Sequence, residues 1–188
     1  MKEIIIYGRG GQGAVTAAHL LAISAFYDGK ESQAFPNFGV ERRGAPVQAY
    51  CRISDSKINL RSQIYHPDYA VVLDPSLLPL VDLKSLAERK GTLIINTNKK
   101  AGELCLLADR ETIGEIKILT FDASSIALEV FKSDIVNTAM VAVFASLTKE
   151  ISEESMVKGL YEIFERKDIL KKNIDAIQKI CSACRLHE

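Results

Sequence analysis

The sequence has no tryptophan, no net charge and no long apolar run, and the last two shortages each exclude a class of function. Its 24 Lys and Arg are matched by 24 Asp and Glu. No bulk field therefore draws the chain to nucleic acid or to an anionic membrane, and little charge repulsion opposes its association with other chains. No stretch approaches the ~20 apolar residues of a membrane-spanning helix. Met1-Lys2-Glu3 leads into an apolar strand without a cleavage-like region, so a cytoplasmic location is expected. Cysteine is scarce as well. Cys51 and Cys105 lie in apolar surroundings and read as small buried hydrophobes. Cys181 and Cys184 form a CxxC without the second pair that a metal site or cluster needs, so they read as free thiols and no metal site is expected. His19, His66 and His187 are isolated, and no Ser, Cys or His stands beside a plausible base. The chain carries no self-contained catalytic constellation of the nucleophile–base kind.

Aliphatic residues are plentiful, and their pattern alternates between two element types. Residues 3–7 form a continuous β-branched strand, and 14–27 form a helix with Ala18, Leu21, Ala22 and Ala25 on a small-residue face. Glu31 to Phe35 reads as the next strand. Val47 to Ile53 and Lys57 to Leu60 flank Ser54-Asp55-Ser56, a hairpin signal. Three apolar runs, 69–74, 92–96 and 117–122, end in Asp74, Asn96 and Asp122 and alternate with helical segments around 76–89 and 123–131. That alternation argues for parallel strands with crossover helices. From Asn137 onward the pattern is helical, with Ser152 placed as an N-cap. The predicted fold is α/β: a three-layer Rossmann-like domain with a mainly parallel sheet, a β-hairpin insertion and a helical C-terminal third, one domain over residues 1–188.

Two stretches carry chemistry. The first is Gly8-Arg9-Gly10-Gly11-Gln12-Gly13, between the first strand and the first helix. Such a unit places backbone N–H groups at a helix N-terminus, where the dipole favours an anion. The spacing is that of the dinucleotide fingerprint, but no acid sits at the end of the second strand, where ribose would need it. Dinucleotide binding, contact with another anion or phosphate, and a purely architectural turn all remain open at this point. Asp74, Asn96 and Asp122 belong to the same edge, where ligands of open α/β sheets bind, and equally suit ordinary caps and turns.

The second stretch is residues 38–46, FGVERRGAP. Adjacent Arg42 and Arg43 lie between glycines, beside Glu41, with Phe35 and Phe38 close by. The planar guanidinium fork suits phosphate or carboxylate. The alternative is a solvated surface loop.

Together, GRGGQGAVTAAHLLA and QAFPNFGVERRGAPVQAYCRISD resemble the gamma subunits of 2-oxoacid:ferredoxin oxidoreductases, most of all those of the pyruvate-acting (pyruvate synthase) branch. The resemblance is specific from residue 4 to about 60 and continues more weakly through Asp74, TLIIN and NTAMVAVFASL. It implies an oxidoreductase subunit that is inactive alone, in a hetero-oligomer converting pyruvate, coenzyme A and oxidised ferredoxin reversibly to acetyl-CoA, carbon dioxide and reduced ferredoxin. It implies that thiamine diphosphate, Mg and the iron–sulfur clusters lie on partner subunits, and that ferredoxin meets the complex. It further implies that Gly8, Arg9, Gly10, Gly11, Gln12, Gly13 and Thr16, with Phe38, Glu41, Arg42, Arg43 and Gly44, face a shared site with coenzyme A as cosubstrate. Relatives acting on 2-oxoglutarate, branched-chain 2-oxoacids or indolepyruvate share the pattern. A free-standing nucleotide-binding protein is the reading of another class.

Overall fold

The computed structural model describes residues 1–37, 43–104, 114–133 and 135–185. Six strands form one sheet in the order β2-β3-β1-β4-β5-β6. They are β1 (Lys2–Arg9), β2 (Glu31–Pro36), β3 (Pro46–Ser54), β4 (Tyr69–Val72), β5 (Thr92–Asn96) and β6 (Lys117–Phe121). β1, β4, β5 and β6 run parallel, while β3 pairs antiparallel with both β1 and β2.

The apolar runs are continuous because both faces of the sheet are covered. On one face Ile4, Ile6, Val71 and Ile94 join a helical core. On the other, Ile5, Tyr7, Val72 and Ile95 meet Leu77, Leu78, Val81 and Leu86. The three layers are unequal. The thick side holds α1 (Ala14–Tyr27), α4 (Ala123–Phe131), α5 (Asn137–Thr148), α6 (Glu153–Ile163) and α7 (Lys167–Arg185); the thin side holds a 3-10 turn (Pro75–Leu80) and α2 (Leu83–Glu88). The short α3 (Ala101–Leu104) follows β5. Every residue of α5 from Asn137 to Ser146 is buried, as expected of a helix that is apolar on all sides. Ser152 caps α6, its hydroxyl accepting the Ser155 N–H at 3.1 Å.

Two local expectations differ from the structure. Lys57–Leu60 is irregular rather than a strand. The hairpin instead joins β2 to β3, with Glu31 opposite Ser54 and Pro36 opposite Ala49. β3 lies between β1 and β2, so neither of its edges is free for a further strand. The helix expected around 76–89 divides at Val81 and Asp82. Pro79 lacks an N–H, and Asp82 starts a new helix by accepting the Ser85 N–H at 3.1 Å.

At the sheet edge opposite the glycine loop, Arg52 is only 1% exposed, yet its Nε donates to Glu3 at 2.9 Å. Arg89 reaches the other Glu3 oxygen at 3.2 Å. A buried guanidinium needs such pairing, because desolvating it alone is expensive.

Candidate functional site

The connection leaving β1 goes to the thick side of the sheet and the one leaving β4 goes to the thin side. The crevice between these neighbouring strand ends is where ligands of such sheets dock. Here protein groups occupy it. The Arg9 guanidinium donates to Asp74 Oδ2 at 3.0 Å, to Ser76 Oγ at 2.7 Å and to the Gly44 carbonyl at 3.0 Å. Gln12 folds back over the loop, its Oε1 accepting the Arg9 N–H at 2.8 Å and its Nε2 reaching Asp74 at 3.4 Å. Burial pushes the Asp74 carboxyl up, but hydrogen bonds from Ser76 and the Arg9 guanidinium outweigh it and hold its pKa below the ordinary value.

This clamp brings the two sequence motifs together. Gly44 donates its N–H to the Gly10 carbonyl at 3.0 Å, and Gly10 donates to Ala45 at 2.8 Å. Between them lies an open depression of about 560 Å³ whose lining includes Gly10, Gly11, Gly13, Val15, Arg9 and Arg43. Arg43 is exposed. The depression thus offers glycine backbone, an apolar step at Val15 and one exposed guanidinium. That set suits an anionic group attached to an apolar body. Thr16 is half-buried on α1. Phe38, Glu41 and Arg42 lie outside the described residues.

Gly8 and Gly13 are glycine for close approach. A Cβ on Gly8 would lie 3.1 Å from both Ala14 and Leu73. Gly13, the N-cap of α1, has φ +78, and a Cβ there would lie 2.4 Å from Asn137 Nδ2. Asn137 is the residue that sequence reasoning missed, since only the start of a helix was visible at that position.

The polar strand ends serve the edge itself. Asn96 donates to the Leu73 carbonyl at 2.9 Å and to Ser124 Oγ at 3.0 Å, and accepts from the Ala123 and Ser124 N–H groups at 3.1 and 3.2 Å. Asp122 caps α4 through Ser125 at 3.0 Å. The dinucleotide reading also lacks its geometry. β3 separates β2 from β1, so the strand that follows α1 does not lie next to β1, where it would present an acid to a ribose on the glycine loop. His19 is exposed on α1, and His66 is exposed and paired with Glu88 at 2.7 Å. Cys51, Cys181 and Cys184 are buried; Cys105 and His187 lie outside the described residues. Among the described residues, no group of three His, Cys, Asp or Glu side chains is placed to hold a metal ion.

Residues 3–183 match the family described as pyruvate ferredoxin/flavodoxin oxidoreductase. The chain belongs to this family. Its similarity to the pyruvate synthase subunit PorC of Methanocaldococcus jannaschii is 50% identity over 178 residues, covering 95% of this chain and 94% of that protein. It is 44% identical to the pyruvate/ketoisovalerate oxidoreductases common subunit gamma of Thermococcus litoralis, over 95% of each chain. The crystal structure of the pyruvate oxidoreductase subunit PORC from Thermotoga maritima superposes with a TM-score of 0.78 at 32% identity, covering 97% of each chain. Within the pyruvate ferredoxin/flavodoxin oxidoreductase family, then, the resemblance read from residues 4–60 extends along nearly the whole chain. No helix among the described residues is long and apolar enough to cross a membrane.

Proposed function

We propose that this chain is the gamma subunit of a hetero-oligomeric 2-oxoacid:ferredoxin oxidoreductase acting on pyruvate. The complex converts pyruvate, coenzyme A and oxidised ferredoxin to acetyl-CoA, carbon dioxide and reduced ferredoxin, reversibly. One observation carries the reading: a subunit named for pyruvate synthase is half identical over almost the full length of both chains.

Within that complex the chain contributes to the coenzyme A side of a shared site. The backbone at Gly11 and Gly13 and the first turn of α1 are suited to hold phosphate oxygens, Arg43 to neutralise them, and Val15 to pack against the apolar part of the cosubstrate. Arg9 ties the second loop to the first through the Gly44 carbonyl, and Gln12 folds the first loop back on the Arg9 N–H. Thiamine diphosphate, Mg and the iron–sulfur clusters belong on partner subunits. Bound there, they supply the decarboxylation and electron transfer that this chain's own side chains do not perform. The chain is a single domain over 1–188 and works in the cytoplasm.

Anaerobic affinity purification of the chain from its native cells tests the reading. Thiamine-binding and iron–sulfur chains should come down with it in fixed ratio, and that material should reduce ferredoxin with pyruvate faster than with 2-oxoglutarate. The chain purified alone should be colourless and inactive. Recovery of a solitary chain under gentle conditions would point instead to a free-standing nucleotide-binding protein.

A second reading follows from the relative named as common to pyruvate and ketoisovalerate oxidoreductases. One gamma chain would then serve two complexes. Two distinct sets of partner chains in the same purification, with activity on both pyruvate and a branched-chain 2-oxoacid, would establish it.

A further inference from the structure

The outward side of α1 is exposed without carrying a charge. No Asp, Glu, Lys or Arg occurs from Gly10 to Tyr27, although such residues make up 26% of the chain. α6 covers one flank of α1, where a Cβ on Gly159 would lie 3.1 Å from Leu20 and 3.3 Å from Ile23. The other flank overhangs β2, with Ser32 Oγ donating to the Ala22 carbonyl at 2.7 Å. Between the two flanks Val15, His19 and Phe26 share one helical stripe, and Val15 and Phe26 are 41% and 69% exposed. Loss of charge around exposed aromatic side chains marks the centre of a protein–protein interface.

Below this overhang β2 ends the sheet among the described residues. Asn37 donates its N–H to the Gln48 carbonyl at 3.0 Å, continuing the β2–β3 register as a hydrogen-bonded pair. Such pairs alternate along an antiparallel ladder. Glu31, Gln33 and Phe35 therefore turn their backbone groups to β3, while Ser32, Ala34 and Pro36 turn theirs outward. A free edge is ordinarily guarded by Lys or another charge. In β2 the single charged residue is Glu31, at its start.

We infer that the chain pairs with a second copy of itself through β2: the two edges join antiparallel about a twofold axis at Ala34, and the α1 stripes pack together above the junction. The edge is complementary to itself in that register. Ala34 exchanges both backbone bonds with its counterpart, and each Ser32 N–H meets the Pro36 carbonyl of the second copy. Pro36 has no N–H to give, so pairing stops there. Glu31 falls opposite Asn37 rather than opposite a second Glu31. A charged face would repel its own copy, whereas this stripe has no charge and the chain has a net charge of +0. The pairing requires no other chain and is independent of the pyruvate reading.

Light scattering on the purified full-length chain at tens of micromolar should give twice the monomer mass of 20.8 kDa. Ala34→Pro removes an outward N–H and leaves the ladder to β3 intact, and Phe26→Glu sets like charges against each other at a position too exposed to disturb the fold. Each should raise the dimer dissociation constant about tenfold or more, with circular dichroism unchanged. A monomeric wild-type chain overturns the inference, and so does a dimer that neither variant weakens. In the assembled complex, photoreactive benzoylphenylalanine in place of Phe26 should yield an adduct of two copies of this chain. An adduct with a different chain alone overturns the self-pairing and assigns the face to that chain.

Discussion

Arg9 reaches across the gap between the ends of β1 and β4 to bond Asp74 at 3.0 Å, and the same guanidinium holds the Gly44 carbonyl at 3.0 Å. This side chain thus adds to the two backbone bonds that place the second motif against the first. Arg9→Lys should lose the fork, because a single ammonium cannot serve Asp74, Ser76 and Gly44 at their present positions. The ion pair is partly exposed, so its own share is small. With the neutral bonds included, Arg9→Ala should cost about 1–2 kcal/mol in urea unfolding. The KM for coenzyme A should rise more in Arg9→Ala than in a surface control such as Lys158→Ala. Equal KM values in the two variants would show that the clamp does not set the site.

Gly13→Ala meets two obstacles. The αL backbone costs an L residue about 1–2 kcal/mol, and the new methyl group lies 2.4 Å from Asn137 Nδ2. We expect a total destabilisation of roughly 2–4 kcal/mol. The double variant Gly13→Ala/Asn137→Ala should recover the steric part and leave the backbone part. A double-mutant cycle with no coupling would contradict the contact.

The sequence displayed the parts of this site but not their joining. Gly8 to Gly13 read correctly as a strand-to-helix turn, because strand and helix periodicities meet there without a gap. Ser152 read correctly as a cap, because capping is local. The duty of Arg9 did not show, since its partners Gly44, Asp74 and Ser76 are brought to it by the sheet order. The same holds for Asn137 against Gly13, and for Arg52, whose burial beside Glu3 follows from antiparallel pairing of β1 with β3. Lys57–Leu60 was misread for the complementary reason. Its local pattern suited a strand, but β3 had no free edge.

Acid should destabilise the fold through identifiable carboxyls. Burial pushes Asp28 up, but hydrogen bonds from Ser155 and Ser152 outweigh it and leave its pKa lowered. Hydrogen bonds from the Ser85 N–H and hydroxyl lower that of Asp82, and Asp74 is lowered as described. A carboxyl with a lowered folded pKa stabilises the protein above its unfolded value, and that contribution is lost as pH falls through the folded value. The loss should begin near pH 4 and deepen below it. Asp28 is the most informative position, because it ties α1 to the start of α6 through Ser152 N at 2.7 Å. Asp28→Asn should cost about 1 kcal/mol at neutral pH and flatten the acid limb of the urea midpoint. An acid limb of wild-type steepness in this variant would assign the pH dependence elsewhere.

Thiol chemistry gives a check on the packing of the thick side. Burial pushes the Cys51 thiol up to about 12, and burial also raises Cys181 despite a hydrogen bond from Ser146. Reaction requires the thiolate, so both should resist alkylation at pH 8 in the native chain. Cys184 is only 3% exposed on α7 and should be protected by access alone. Peptide-level mass spectrometry after a short iodoacetamide pulse should find these three unmodified in buffer and fully modified in guanidinium. Rapid native modification of Cys181 and Cys184 with Cys51 still protected would mean that α7 opens independently of the sheet. The outer helix would then be a separate unit of low local stability.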